Sequence, residues 1–345
     1  QRTRFCLAGG FRDMYVQKNN KMFYALLVAI TVQSVGLVIL TSLGLFAIPD
    51  STFPIVGTII GSFIFGIGIV LAGGCATGTW YRAGEGLIGS WIALIMYALT
   101  AAATKTGILL PVMTWVNQPT NVNASMAQTT GIPMWIFVIV LTIITLYVVI
   151  KTLRKPKPKV AVPKLKQKYH GIRHYLFEKR YHPFVAGIVV GLIALLAWPM
   201  SISTGRDYGL GITTPSANLV TYLITGDSKL IDWGVLLVLG IFIGSYIAAR
   251  GAHEFKWRLP DIRTIRNSAV GGICMGFGAS VAGGCSIGNG LVETAIMSWK
   301  GWIALFAMIL GVWFTSYFIF IRPMKQIQQT DKKANKTVSQ TQLSS

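Results

Sequence analysis

Charge is scarce in this sequence. Only 12% of its 345 residues are charged, about half the share usual in soluble domains, and the shortage is one-sided, with 11 acidic residues against 31 lysines and arginines. Histidine is rarer still: His170, His174 and His182 fall between spans, as does His253, and no Cys-x-x-Cys occurs, so no metal-ligand spacing exists. Four cysteines, Cys6, Cys75, Cys274 and Cys285, are too few for a disulfide framework, and none sits in a polar loop. No flavin, haem or quinone signature is present. These absences lead us to expect no enzyme, no catalytic residue, no cofactor and no metal.

Apolar runs fill the space that charge vacates. The chain is 53% hydrophobic with a mean hydropathy of +0.58, and a run of about 20 apolar residues spans a bilayer as a helix. Eight stretches qualify: Met22–Ile48, Ile55–Ala72, Leu87–Ala103, Met134–Ile150, Phe184–Trp198, Trp233–Ala249, Ser268–Ala282 and Trp302–Ile321. The expected class is an all-α polytopic membrane protein whose solvent is the lipid bilayer. A net charge of +20 invites nucleic acid, but the basic residues cluster between spans, as the positive-inside rule produces. Nucleic-acid binding is therefore not expected.

The loops set an orientation. Residues 151–182 carry eleven basic residues against Glu178 alone, whereas 105–133 carry only Lys105, so the first is expected to be cytoplasmic and the second outside. Residues 250–266 and the tail from Arg322 each hold five basic residues and belong inside. Lysine alternates with proline in the 151–181 linker, which is expected to be mobile; the tail is expected to fray.

Two stretches are copies of one another. Gly66–Gly78 (GIGIVLAGGCATG) and Gly276–Gly288 (GFGASVAGGCSIG) match at seven of thirteen positions with an offset of 210, and Trp91-Ile-Ala-Leu returns as Trp302-Ile-Ala-Leu. Threading the spans through the loop signs makes the two copies run in opposite directions, an inverted repeat of the kind that builds many transporters. The expected parts are a first repeat at 1–104, an outer loop and linking helix at 105–150, a basic linker at 151–183, a second repeat at 184–321 and a tail at 322–345. The counterpart of Phe184–Trp198 would precede Gln1, giving nine spans and leaving Arg4–Lys21 opposite the polar stretch Thr204–Asn218.

Gly-Gly-Cys is where chemistry is expected. Paired glycines let a helix stop, and irregular backbone at membrane depth is tolerated only against protein or a wet cavity. Gly73, Gly74 and Ala76 surround Cys75, and Gly283, Gly284 and Ser286 surround Cys285; helical turns opening after these breaks would aim free N–H groups at an anion. A thiol is soft and weakly hydrogen-bonding, which suits a sulfur-bearing anion better than phosphate or chloride. Cys274 matches Ile64 of the other copy and reads as packing. Arg82 and Arg206 could form a vestibule, and Glu85 and Glu293 could couple or pair charge.

With Arg4-Phe-Cys6, Phe11-Arg-Asp-Met-Tyr15, Ala72-Gly-Gly-Cys-Ala-Thr-Gly-Thr-Trp-Tyr-Arg-Ala-Gly-Glu-Gly86 and Ala282-Gly-Gly-Cys-Ser-Ile-Gly-Asn-Gly290, the chain resembles the YeeE/YedE family of bacterial inner-membrane proteins. The resemblance covers nearly the whole chain. It implies nine helices and short re-entrant helices in an hourglass. It also implies thiosulfate uptake for sulfur assimilation, with the ion passed from Cys285 to Cys75 to Cys6 through S–H···S hydrogen bonds, and a cytoplasmic TusA-like sulfur-carrier partner. A carrier of sulfite or a selenium anion remains open at this stage, as does a membrane thiol oxidoreductase using Cys75 and Cys285.

Overall fold

A computed structural model of the chain describes residues 2–44, 51–118, 121–154, 171–324 and 326. In chain order the helices are α1 (Leu7–Val16), α2 (Lys21–Ser42), α3 (Ile55–Leu71), α4 (Ala76–Gly84), α5 (Ile88–Lys105), α6 (Leu110–Asn117), α7 (Met126–Thr130) and α8 (Met134–Arg154). They continue with α9 (Ile172–Phe177), α10 (Pro183–Ser203), α11 (Thr213–Thr225), α12 (Trp233–Gly251), α13 (Ile262–Val281) and α14 (Trp299–Ser316). The strands β1 (Thr52–Pro54) and β2 (Asn121–Asn123) pair antiparallel, tying together the two loops in which they lie. This is an all-α polytopic membrane fold.

Among the described residues, seven helical segments are long and apolar enough to cross a membrane, counting α3 with α4 as one. The eighth expected span, Ser268–Ala282, lies within α13 but is not among them. Its helix opens with Arg263 and Arg266 and is rich in glycine and serine, and it packs between α3 and α5. Two faces of the helix are covered by protein, and Val270 and Ile273 are left exposed on the remainder.

That covering depends on small residues. A Cβ added at Gly61 would stand 2.5 Å from the Ala282 backbone nitrogen, and one at Gly271 would stand 2.4 Å from that of Ala72. A Cβ added at Gly68 would stand 2.6 Å from Met275 N, and one at Gly278 would stand 2.5 Å from Phe65 N. The backbones of α3 and α13 thus touch, as small-residue helix pairs do in membranes. Their partners rise along one helix as they fall along the other, so the helices run antiparallel. Every contact recurs with the halves exchanged, the reciprocity of a two-fold relation. The same exchange links Gly66 with Met308 O and Gly276 with Tyr97 O, placing α14 on α3 and α5 on α13.

The polar stretches contain helices as well. Part of the stretch assigned to Arg4–Lys21 is α1, and Thr204–Asn218 runs into α11. Trp313 Nε1 donates to Phe11 O at 3.1 Å, holding α1 to α14, and α11 packs on α5 in the exchanged relation. The last part of the basic linker holds a short helix. α9 forms within it, with the Phe177 ring against Gly251 of α12. The linker core at 155–170 and the tail beyond 326 lie outside the described residues.

Valine at Gly61 would drive methyl groups into the α13 backbone. We expect Gly61→Val to lower stability by about 3 kcal/mol or more, read as thermal unfolding of the detergent-solubilised protein. Gly89→Ala, whose Cβ meets nothing nearer than 3.4 Å, should be unchanged or slightly more stable.

Candidate functional site

Both copies of Gly-Gly-Cys stop a helix in the same way. α3 and α13 end at Ala72 and Ala282, and the next residues, Gly73 and Gly283, take the left-handed conformation with φ of +69° and +68°. A glycine there carries no Cβ penalty. The turn leaves carbonyls without helical partners, and no lipid can satisfy them. In the first copy Arg82 reaches back and donates through Nη1 to Gly73 O. In the second, Lys300 Nζ donates to Gly283 O at 3.4 Å, and Asn289 Nδ2 donates to Ala282 O at 3.0 Å and Gly284 O at 3.1 Å. A different cation therefore guards each break.

Cys75 is the N-cap of α4, and Cys6 is the N-cap of α1. The structure brings these two helix starts together. The Cys6 and Cys75 side chains are neighbours, the sulfur of each lying against the start of the other's helix, and neither makes a capping hydrogen bond within its own helix. Gly78 makes room for both, since a Cβ there would stand 3.5 Å from each sulfur. Two positive helix ends thus converge where Cys6 is 5% and Cys75 2% exposed.

Cys285 is equally buried, at 1%, but the chain beyond it differs. The π-helical stretch Gly288–Glu293 replaces a regular α4, a geometry common at functional sites. Within electrostatic reach of Cys285 lie Tyr97, Lys105, Arg206 and Tyr208. Tyr97 is fully buried, donates to Thr213 Oγ1 at 2.9 Å, and also lies within reach of Cys75. The thiol pair in direct contact is therefore Cys6 with Cys75, and the Tyr97 hydroxyl accompanies Cys75 and Cys285.

The expected vestibule residues divide between the two breaks. Arg206 joins the Cys285 side, 3.7 Å from Asp232, together with Lys105, which donates to Thr214 Oγ1 at 2.5 Å. Glu293 lies there too, paired with Lys300 at 3.1 Å. Arg82 belongs to the Cys6–Cys75 side, beside a small cavity lined by Gly9, Arg12 and Gly73. Glu85 caps the far end of α4, and its Oε1 is buried without a hydrogen-bond partner among the described residues. It does not join Glu293. Cys274 is half-buried on α13, and no group of metal-ligating side chains occurs among the described residues.

A largely apolar cavity of about 500 Å³ reaches from Phe5 past Cys75, Thr77 and Tyr81 to Leu210, Ile212 and Ile287, two residues beyond Cys285. Thr77 Oγ1 in its lining lacks a partner among the described residues, as does the Oγ of the fully buried Ser286, the residue before Ile287. Buried donors left open in this way invite a polar guest. Tyr97, Asn289, Tyr208 and Lys300 were not singled out from sequence. Asn289 stands in the motif, where its place four residues after Cys285 was the available signal; the other three carry none.

A family profile described as sulphur transport matches residues 2–314. The chain belongs to this family of membrane transport proteins, the YeeE/YedE family. It is 56% identical over 335 residues to the thiosulfate transporter TsuA of Escherichia coli strain K12, covering 97% of this chain and 95% of the relative. It is 32% identical over 336 residues to the thiosulfate transporter TsuA of Spirochaeta thermophila, covering 93% and 95%. A probable transporter, YedE of Escherichia coli, matches over 91 residues at 36% identity, 26% of this chain and 22% of the relative.

Asn289 bonds two carbonyls that have no other donor in the turn. Asn289→Ala should destabilise the protein by about 1–3 kcal/mol for each carbonyl orphaned, seen as a lower unfolding midpoint. Thr79→Ala, at the matching position and bonded only to Ala76 O, should cost far less.

Proposed function

We propose that this protein is a thiosulfate transporter of the bacterial inner membrane, taking the ion inward for sulfur assimilation. The observation that carries the reading is the near full-length, 56% identity to a thiosulfate transporter, and the site's chemistry agrees with it. Thiosulfate is a dianion with an oxygen end and a soft sulfur end. Helix starts at Cys6 and Cys75 supply the positive ends for the charge, and protonated thiols supply S–H donors for the sulfur without adding repulsion. Thr77 and Ser286 supply open hydroxyl donors for the oxygens.

The ion moves from Cys285 past Tyr97 to Cys75 and then to Cys6. Lys105, Arg206 and Lys300 gather it at the first thiol, and Arg82 with Arg12 draws it from the last. The antiparallel crossing of α3 and α13 supports an inverted repeat. The pairing of β1 with β2 on one side, and of Arg2 with Glu254 at 3.2 Å on the other, supports the threading in which Cys285 faces out and Cys6 faces in. A cytoplasmic TusA-like carrier then accepts the sulfur.

In proteoliposomes, Cys75→Ala and Cys285→Ala should each reduce uptake of labelled thiosulfate to background while the protein inserts at wild-type levels. Wild-type uptake by both variants would overturn the thiol path.

A further inference from the structure

The two breaks differ in what stands opposite the third residue after the cysteine. At Gly78 it is the Cys6 sulfur; at the matching Gly288 it is the Tyr208 hydroxyl, 3.4 Å from where a Cβ would be. The phenol thus takes the thiol's place in the second half. It is not free, however, because it donates to Glu293 Oε1 at 3.2 Å. The same oxygen accepts from Lys300 Nζ at 3.1 Å. Glu293 Oε2 is buried and has no hydrogen-bond partner among the described residues, on a side chain only 4% exposed.

A buried carboxylate that served only as a structural pair would have both oxygens met. Here both donors converge on one oxygen and the other is bare. Lys300 Nζ and the Arg206 guanidinium lie 6.0 and 5.9 Å from the Tyr208 ring centroid, and Arg206 Nη1 has no hydrogen-bond partner among the described residues. Arg206 is shared with Asp232 at 3.7 Å, while Lys300 also reaches Gly283 O, two residues before Cys285, so the donors of this cluster border the second break.

We propose that Tyr208 and Lys300 form the receiving seat for the anion's oxygen end beside Cys285, and that the Glu293 carboxylate fills this seat as an internal plug until the ion displaces it. This rests on the thiosulfate reading above. Tyr208 reads an oxygen while Cys285 meets the sulfur, so the ion arrives oriented. The plug keeps the buried ammonium paired when no ion is present, and it weakens binding because the ion must first move it. The side chain alone has to swing, since the Glu293 backbone is fixed by Ser298 N–H at 3.0 Å and by close contact with Gly301.

Titrating thiosulfate into the purified protein by calorimetry tests this. Glu293→Gln should bind thiosulfate about five- to tenfold more tightly than wild type, and Tyr208→Phe about five- to tenfold more weakly, with KM for uptake moving the same way. Glu293→Asp keeps the charge but shortens the arm by one methylene, so it should bind more tightly as well. Wild-type affinity in Glu293→Asp alongside tight binding in Glu293→Gln would reduce the effect to charge alone and overturn the plug. Unchanged affinity in Tyr208→Phe, a variant that removes one oxygen atom and keeps the ring packed on Trp198, would overturn the seat even if the Glu293 variants fail to fold. If the wild type binds no thiosulfate, the functional reading falls instead, and sulfite titrated into the same proteins decides the seat and plug by the same signs.

Discussion

A helix that stops inside a membrane exposes carbonyls and N–H groups where no water can reach them, and this chain does so twice. Each unsatisfied group costs several kcal/mol in hydrocarbon, so the stop is possible only where protein supplies partners. Arg82 serves the first break, and Lys300 with Asn289 serves the second. The requirement explains why cations stand at membrane depth in a protein so poor in charge. It also explains why α3 and α13 are buried against each other through glycines, since a break is best protected at the centre of the bundle.

The free N–H groups on the far side of each break are the other half of the constraint. At the first, α1 and α4 point their starts at one another, and their N-cap residues are cysteines whose thiols make no capping hydrogen bond, where oxygen-bearing residues usually cap helices. An oxygen cap would satisfy the helix start. A thiol is a weaker acceptor, so the N–H groups keep attraction to spare, as the proposed anion path needs. The second break departs from this plan: Tyr208 stands in for Cys6, a π-helical stretch replaces α4, and more cations surround it. On the proposed path, a receiving end that must collect a dilute ion gains from charge, whereas an interior step gains from neutrality.

The duplication, the two breaks and their cysteines, Cys75 and Cys285, were legible in sequence because they lie in short, self-similar strings, whereas Cys6 lies outside those strings and was pointed to only by the family resemblance. The membrane class was legible from the shortage of charge. Other features were not, for physical reasons. Tyr97 sits in an ordinary apolar span, and only the crossing of α5 with α11 gives its hydroxyl Thr213. Lys300 reads as a lysine at the start of a span, and its partners Glu293 and Gly283 meet it through the fold of a hairpin. Tyr208 precedes α11 in a polar stretch with no periodicity. Ser268–Ala282 falls short of the other spans in hydropathy because its helix opens with Arg263, Arg266 and Asn267 and is rich in the glycines that pack it against α3 and α5. The segment at 172–177 folds because Phe177 finds Gly251, 74 residues away by number.

The central claim is that the two breaks belong to one path that receives the sulfur end of the ion. Selenosulfate carries selenium where thiosulfate carries its terminal sulfur, so anomalous diffraction from crystals soaked with it locates that atom directly. The account predicts selenium within contact distance of Cys285, Cys75 or Cys6, with the oxygen end toward Tyr208 and Lys300 when the atom is at Cys285. Selenium bound elsewhere, with all three thiols unvisited, would contradict it.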